Sequence, residues 1–119
     1  MQGYQWPYDA SIRDMFLARM AFAEQLLQSY GAEYIDTAVE LGTWMLRNGC
    51  YAYERLEKRI WKRKNVYIRV DRVYFPEKPF IVLEFSQKQE GPYEDADPFP
   101  YDLPDEEFEQ EVWFALGFV

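Results

Sequence analysis

The sequence predicts an α+β fold: two to three N-terminal helices, a β-hairpin or small antiparallel sheet, a long acidic loop and a C-terminal helix. Three observations predict it. Apolar residues recur at helical spacing between positions 11 and 30, they alternate at strand spacing from position 66, and Gly and Pro gather among acids between 87 and 104. With 119 residues, 49% of them apolar and 29% charged, the chain is expected to form a single domain around one core.

The first helix is expected over residues 11–30. Ser11 and Asp14 form a plausible capping pair, and Ile12, Met15, Phe16, Met20, Phe22, Ala23, Leu26, Leu27 and Tyr30 share one broad face. Gly31 is a natural stop. A second helix is expected over about 33–48, with Tyr34, Ile35, Ala38, Val39, Leu41, Met45 and Leu46 as its apolar stripe and Asn48-Gly49 as its end. Residues 50–64 read as a third helix with Tyr53, Leu56, Ile60 and Trp61 inward. The same segment also reads as a strand turning at Lys64-Asn65.

Residues 66–75 alternate as a strand does, with Val66, Ile68 and Val70 against Tyr67, Arg69 and Asp71. Pro76 to Pro79 is a turn. The apolar run from Phe80 to Phe85 reads as a partner strand covered on both faces. Residues 87–104, with Gly91, Pro92, Pro98, Pro100 and Pro104, form a long loop that could be mobile. A short helix follows at about 105–116. Asp105, Glu106 and Glu107 occupy its first turn, where the helix dipole favours negative charge.

Composition narrows the chemistry. The chain has no histidine and a single cysteine, Cys50. Ser-His and Cys-His nucleophile pairs, imidazole zinc sites and an internal disulfide are all excluded. No cofactor and no enzymatic activity are expected. The start lacks the basic and apolar regions of a signal peptide, and no stretch reaches the roughly 20 apolar residues that span a bilayer. A cytoplasmic protein without membrane contact is therefore expected.

Charge is unevenly distributed. Residues 55–72 carry eight Lys or Arg and two acids, whereas residues 90–119 carry ten acids and no base, within a formal net charge of −8. One reading has the acidic segment fold over the basic one, so that each masks the other. A second makes the acidic segment a partner-binding surface. Carboxylates of Glu94, Asp95, Asp97, Asp102, Asp105, Glu106, Glu107, Glu109 and Glu111 would imitate nucleic-acid phosphates, and Tyr93, Phe99, Tyr101 and Phe108 would be buried anchors. A third gives three helices followed by a hairpin, the element order of a winged helix, with Arg55, Lys58, Arg59 and Lys62 facing DNA. The overall acidity stands against it.

Several side chains are out of place. Arg19 falls on the apolar face of the first helix and needs a partner such as Glu84. Glu84 interrupts an apolar run, and its own expected partners are Arg19 or Arg72. Asp71 and Glu84 together resemble the carboxylate pair of metal-dependent nucleases, in which an Asp precedes a Glu-x-Lys. Here Phe85-Ser86 follow Glu84, and Lys88 stands two residues late. Trp44 lies on the polar side of the second helix, where it is either an interface anchor or packed beneath another segment. Trp113 and Phe114 fall outside the stripe of Phe108, Val112, Ala115 and Leu116. Glu94-Asp95-Ala96-Asp97 lacks the glycine and closing glutamate of a calcium loop.

The leading expectation is a non-catalytic protein-binding inhibitor or regulator. Its candidate surface comprises Tyr93, Glu94, Asp95, Asp97, Phe99, Tyr101, Asp105, Glu106, Glu107 and Trp44. A nucleic-acid-binding protein is the expected kind of partner, direct nucleic-acid binding the lesser alternative, and a homodimer one of the assemblies allowed.

Overall fold

The computed structural model describes residues 6–45 and 51–117. Helix α1 (Ala10–Ser29) leads into four antiparallel strands: β1 (Glu33–Met45), β2 (Tyr51–Arg63), β3 (Val66–Tyr74) and β4 (Pro79–Ser86). Two short strands, β5 (Glu94–Asp95) and β6 (Phe99–Pro100), pair with β4, and helix α2 (Asp105–Leu116) follows. The strand order is β1-β2-β3-β4-β5, with β6 also on β4. The fold is α+β.

The second and third expected helices are instead the long hairpin β1–β2. Over residues 33–45 the helical stripe competes with a period of two: Thr37, Val39, Leu41 and Thr43 against Asp36, Ala38, Glu40 and Gly42. In β2, Leu56, Lys58 and Ile60 are buried while Arg55, Glu57 and Arg59 are exposed, again a period of two. β-branched and aromatic residues favour the pleated form once a partner strand is present. Of the two readings of this segment the strand is the correct one over Tyr51–Arg63, and Lys64 turns the chain with φ of 56°. The proposed helix end at Asn48-Gly49 lies outside the described residues.

The outer helices and the β3–β4 hairpin stand where the sequence puts them. α1 buries Phe16, Met20, Ala23, Leu26 and Leu27, although Met15 from the expected face is exposed. Its N-cap is Asp9, not Ser11. Its end is a Schellman motif: Gly31, at φ 96°, donates to the Gln28 carbonyl at 3.1 Å, and Ala32 donates to that of Leu27 at 2.9 Å. α2 buries Phe108, Val112, Ala115 and Leu116, the predicted stripe.

Both helices contribute to a core on one face of the sheet, against Trp61, Ile68, Val70, Ile81 and Leu83. Phe108 sits at its centre, 5.4 Å from the Phe22 ring and 5.2 Å from that of Phe99. The acidic loop is laid along β4. Asp95 pairs with Glu84, Glu94 with Phe85 and Phe99 with Ile81, and the Ala96 amide donates to the Leu83 carbonyl at 2.9 Å. No helix among the described residues is long and apolar enough to cross a membrane.

Candidate partner-binding site

The strand pairing decides where the charges go. On the sheet face away from the helices, β3 presents Arg69 and Asp71, β4 presents Glu84, β2 presents Lys58 and β1 presents Glu40. Lys58, only 7% exposed, places its ammonium 2.8 Å from Asp71, 2.9 Å from Glu40 and 3.7 Å from Glu84. Arg69 reaches Glu40 at 3.0 Å and Glu84 at 3.3 Å, and its guanidinium lies 3.9 Å from the centre of the Tyr93 ring. The network holds two cations and three carboxylates, one negative charge in excess.

Burial and these neighbouring charges together set the pKa directions of its members. Burial, then the nearby Asp71 charge, raises the Glu84 pKa to about 7. The hydrogen bond from Lys58 leads the causes that lower that of Glu40. Burial alone would lower the Lys58 pKa, but its bonds to Asp71 and Glu40 outweigh burial and the net direction is upward.

Neighbouring acids neutralise three of the remaining bases of the middle segment as well. Arg55 pairs with Glu57 at 2.5 Å, Arg59 with Glu24 at 3.0 Å and Arg72 with Glu54 at 2.8 Å. Lys62 lies 5.2 Å above the Tyr67 ring. None of these bases pairs with a carboxylate beyond position 90 among the described residues. The segment is therefore not masked by the acidic one. It is not the DNA-reading helix of a winged helix either, because Arg55, Lys58, Arg59 and Lys62 lie on a strand and Lys58 is buried.

Asp71 and Glu84 do share a face, as the nuclease resemblance requires. The cation between them is Lys58 from β2; Lys88 lies beyond the end of β4. Among the described residues, no group of three or more His, Cys, Asp or Glu is arranged to hold a metal ion. Arg19 pairs with Asp105 at 2.8 Å and donates to the Leu103 carbonyl at 2.8 Å, rather than meeting Glu84. Its guanidinium also packs 5.0 Å from the Phe108 ring centre.

The acidic segment has few counterions. Asp102 meets Lys78 at 3.1 Å, and Asp105 meets Arg19. Glu94, Asp95, Asp97, Glu106, Glu107, Glu109 and Glu111 are exposed, and none forms an ion pair among the described residues. Glu94, Asp95 and Asp97 from the β5 region and Glu111 of α2 line a groove of about 570 Å³ together with Phe85 and Phe114. Asp95 stands opposite Glu84 in the strand register, so its side chain shares the sheet face of Glu84, and the carboxylates left to the α2 side are those of Glu94, Asp97 and Glu111. Trp113 of α2, 50% exposed and not part of the groove lining, leans on Tyr30 with ring centres 4.9 Å apart, and Arg63 lies 5.8 Å from its ring.

The expected aromatic anchors need correction. Phe99 and Tyr101 are buried core residues, Phe99 against Phe108 and Tyr101 against Phe16, so neither is available to a partner. Their period in the loop is that of a strand edge folded inward. Tyr93 is half-buried over Arg69, and its hydroxyl donates to the Gln89 carbonyl at 2.6 Å. Phe114, 60% exposed, borders the groove with Phe85. Its position outside the α2 stripe was the sequence signal for this. The Trp44 side chain lies outside the described residues. Comparison with protein-family models, curated proteins and solved structures finds no match for this chain.

Proposed function

We propose that this chain is a non-catalytic binding protein whose acidic groove takes basic side chains of a partner protein. The observation that carries the reading is the set of uncompensated carboxylates of Glu94, Asp97 and Glu111 around a groove bordered by Phe85 and Phe114, with Asp95 adding negative charge from the neighbouring sheet face. A guanidinium or ammonium entering it exchanges water for charge-assisted hydrogen bonds, and its stem packs on the aromatic rings. The α2 carboxylates Glu106, Glu107 and Glu109 extend the negative field and speed encounter with a basic surface. In its most specific form the protein is an inhibitor or regulator that occupies the nucleic-acid groove of such a partner, in the cytoplasm.

The test is titration of a short arginine-rich peptide, followed by Trp fluorescence at low and moderate salt. Wild type should bind with strong salt dependence. The combined variant Glu94→Gln, Asp95→Asn, Asp97→Asn, Glu111→Gln should lose at least tenfold in affinity while keeping its circular dichroism spectrum. Equal affinity of the two proteins removes the proposal.

A further inference from the structure

The opposite end of the sheet has different chemistry. β1 is an edge strand of 13 residues, paired among the described residues with β2 on one side only. It exposes Tyr34, Ile35, Val39 and Leu41, the last 65% exposed. Every second residue of such a strand turns an unpaired N–H and C=O outward, a template for another strand. Of the usual guards of an open edge, β1 has neither lysine nor proline; its charged residues are three acids, Glu33, Asp36 and Glu40. Its bulge lies at one end, between Tyr34 and Asp36.

Charge selects the occupant. β1 carries three acids (Glu33, Asp36, Glu40), while β2 carries five bases and two acids, so the two strands together are neutral in a chain of net charge −8. A second copy is repelled by the α2 face and least repelled here. In an antiparallel two-fold pairing centred on Val39, Val39 meets Val39 of the second copy, Leu41 meets Thr37, and Glu40 meets Ala38. No carboxylate then opposes a carboxylate. Shifting the centre to Ala38 sets Asp36 against Glu40, and shifting it to Glu40 sets that acid against itself. The far edge of the sheet consists of two-residue strands within the acidic loop, so augmentation stops after one pairing.

We propose that two copies join through β1 into a closed two-fold dimer with a continuous sheet, centred on Val39. The acidic groove, at the other end of the strand order, stays open in each copy, so this inference stands apart from the groove's role.

Analytical ultracentrifugation across concentration, with Val39→Lys and Leu41→Lys as variants, tests it. Both side chains are exposed, so both variants should keep the wild-type circular dichroism and thermal midpoint. The expected result is a dimer of the 14.4 kDa chain whose dissociation constant rises at least tenfold in either variant. Amides of β1 should gain hydrogen-exchange protection with concentration in wild type alone. A monomer at every concentration up to roughly 100 µM, well into the range of weak association, overturns the proposal. So does a dimer that both variants leave unchanged, or growth beyond two copies.

Discussion

Replacing Lys58 by methionine removes the ammonium that three carboxylates share and leaves the stem of the side chain in place. Asp71 and Glu84 are largely buried, with side-chain exposures of 18% and 10%, so water replaces the lost cation poorly. Arg69 alone then faces Glu40 and Glu84, and Asp71 keeps no cation among the described contacts. Removing one partner of a buried ion pair typically costs 3–5 kcal/mol, about a third of the stability of an ordinary domain. With a guanidinium m-value of about 4 kcal/mol/M, the unfolding midpoint at pH 8 should fall by about 1 M. The loss should shrink by at least about 1 kcal/mol at pH 5, because the abandoned carboxylates can take up protons there. Guanidinium unfolding followed by Trp fluorescence at both pH values measures this. A loss below about 1 kcal/mol at pH 8, or an equal loss at both pH values, would refute the reasoning that Lys58 compensates buried charge.

Glu84→Gln should balance the network at two cations and two carboxylates. The folded Glu84 pKa of about 7 lies above its ordinary 4.5, so its stability contribution is complete below pH 4.5 and is lost as pH rises through 7. Wild-type stability should therefore decline between those values by up to about 3 kcal/mol from this group, and unfolding of Glu84→Gln should show a flatter profile over that window. Phe108→Ala should cost 3–5 kcal/mol in denaturant unfolding, since the ring is fully buried between Phe22 and Phe99. Trp61→Phe should cost about 1–2 kcal/mol in the same assay, because it deletes the indole N–H that donates to Glu24 at 2.8 Å. Titration of wild type with random duplex DNA should give no salt-sensitive complex, since Arg55, Lys58 and Arg59 of β2 are already paired with carboxylates.

The outer parts of the fold were readable because one signal dominated each. α2 had a four-residue stripe and an acidic first turn, and β3 alternated without interruption. The β1–β2 hairpin was misread because Ala38, Leu41 and Met45 fall on one helical stripe, while Thr37, Val39, Leu41 and Thr43 equally alternate at strand spacing. Only pairing with a strand distant in sequence settles such a conflict. Lys58 was misplaced for the same reason: as a helix residue it faced solvent, whereas as a strand residue it shares a face with Leu56 and Ile60. Its counterions Glu40, Asp71 and Glu84 come from three other strands, so no local pattern could assign them. The groove was half legible. Glu94, Asp95 and Asp97 were marked by charge and Phe114 by its place outside the stripe, but their meeting with Glu111 depends on how α2 docks beside β5.

The most direct measurement is NMR mapping of an arginine-rich peptide on the isotopically labelled protein. Amide and side-chain shifts should move at Phe85, at residues 94–97 and at residues 111–115 of α2, saturate together, and collapse with added salt. Shifts centred instead on the β2 segment 55–63, or no saturable shifts at low salt, would contradict an open acidic groove and a β2 strand whose Arg55, Lys58 and Arg59 are already paired.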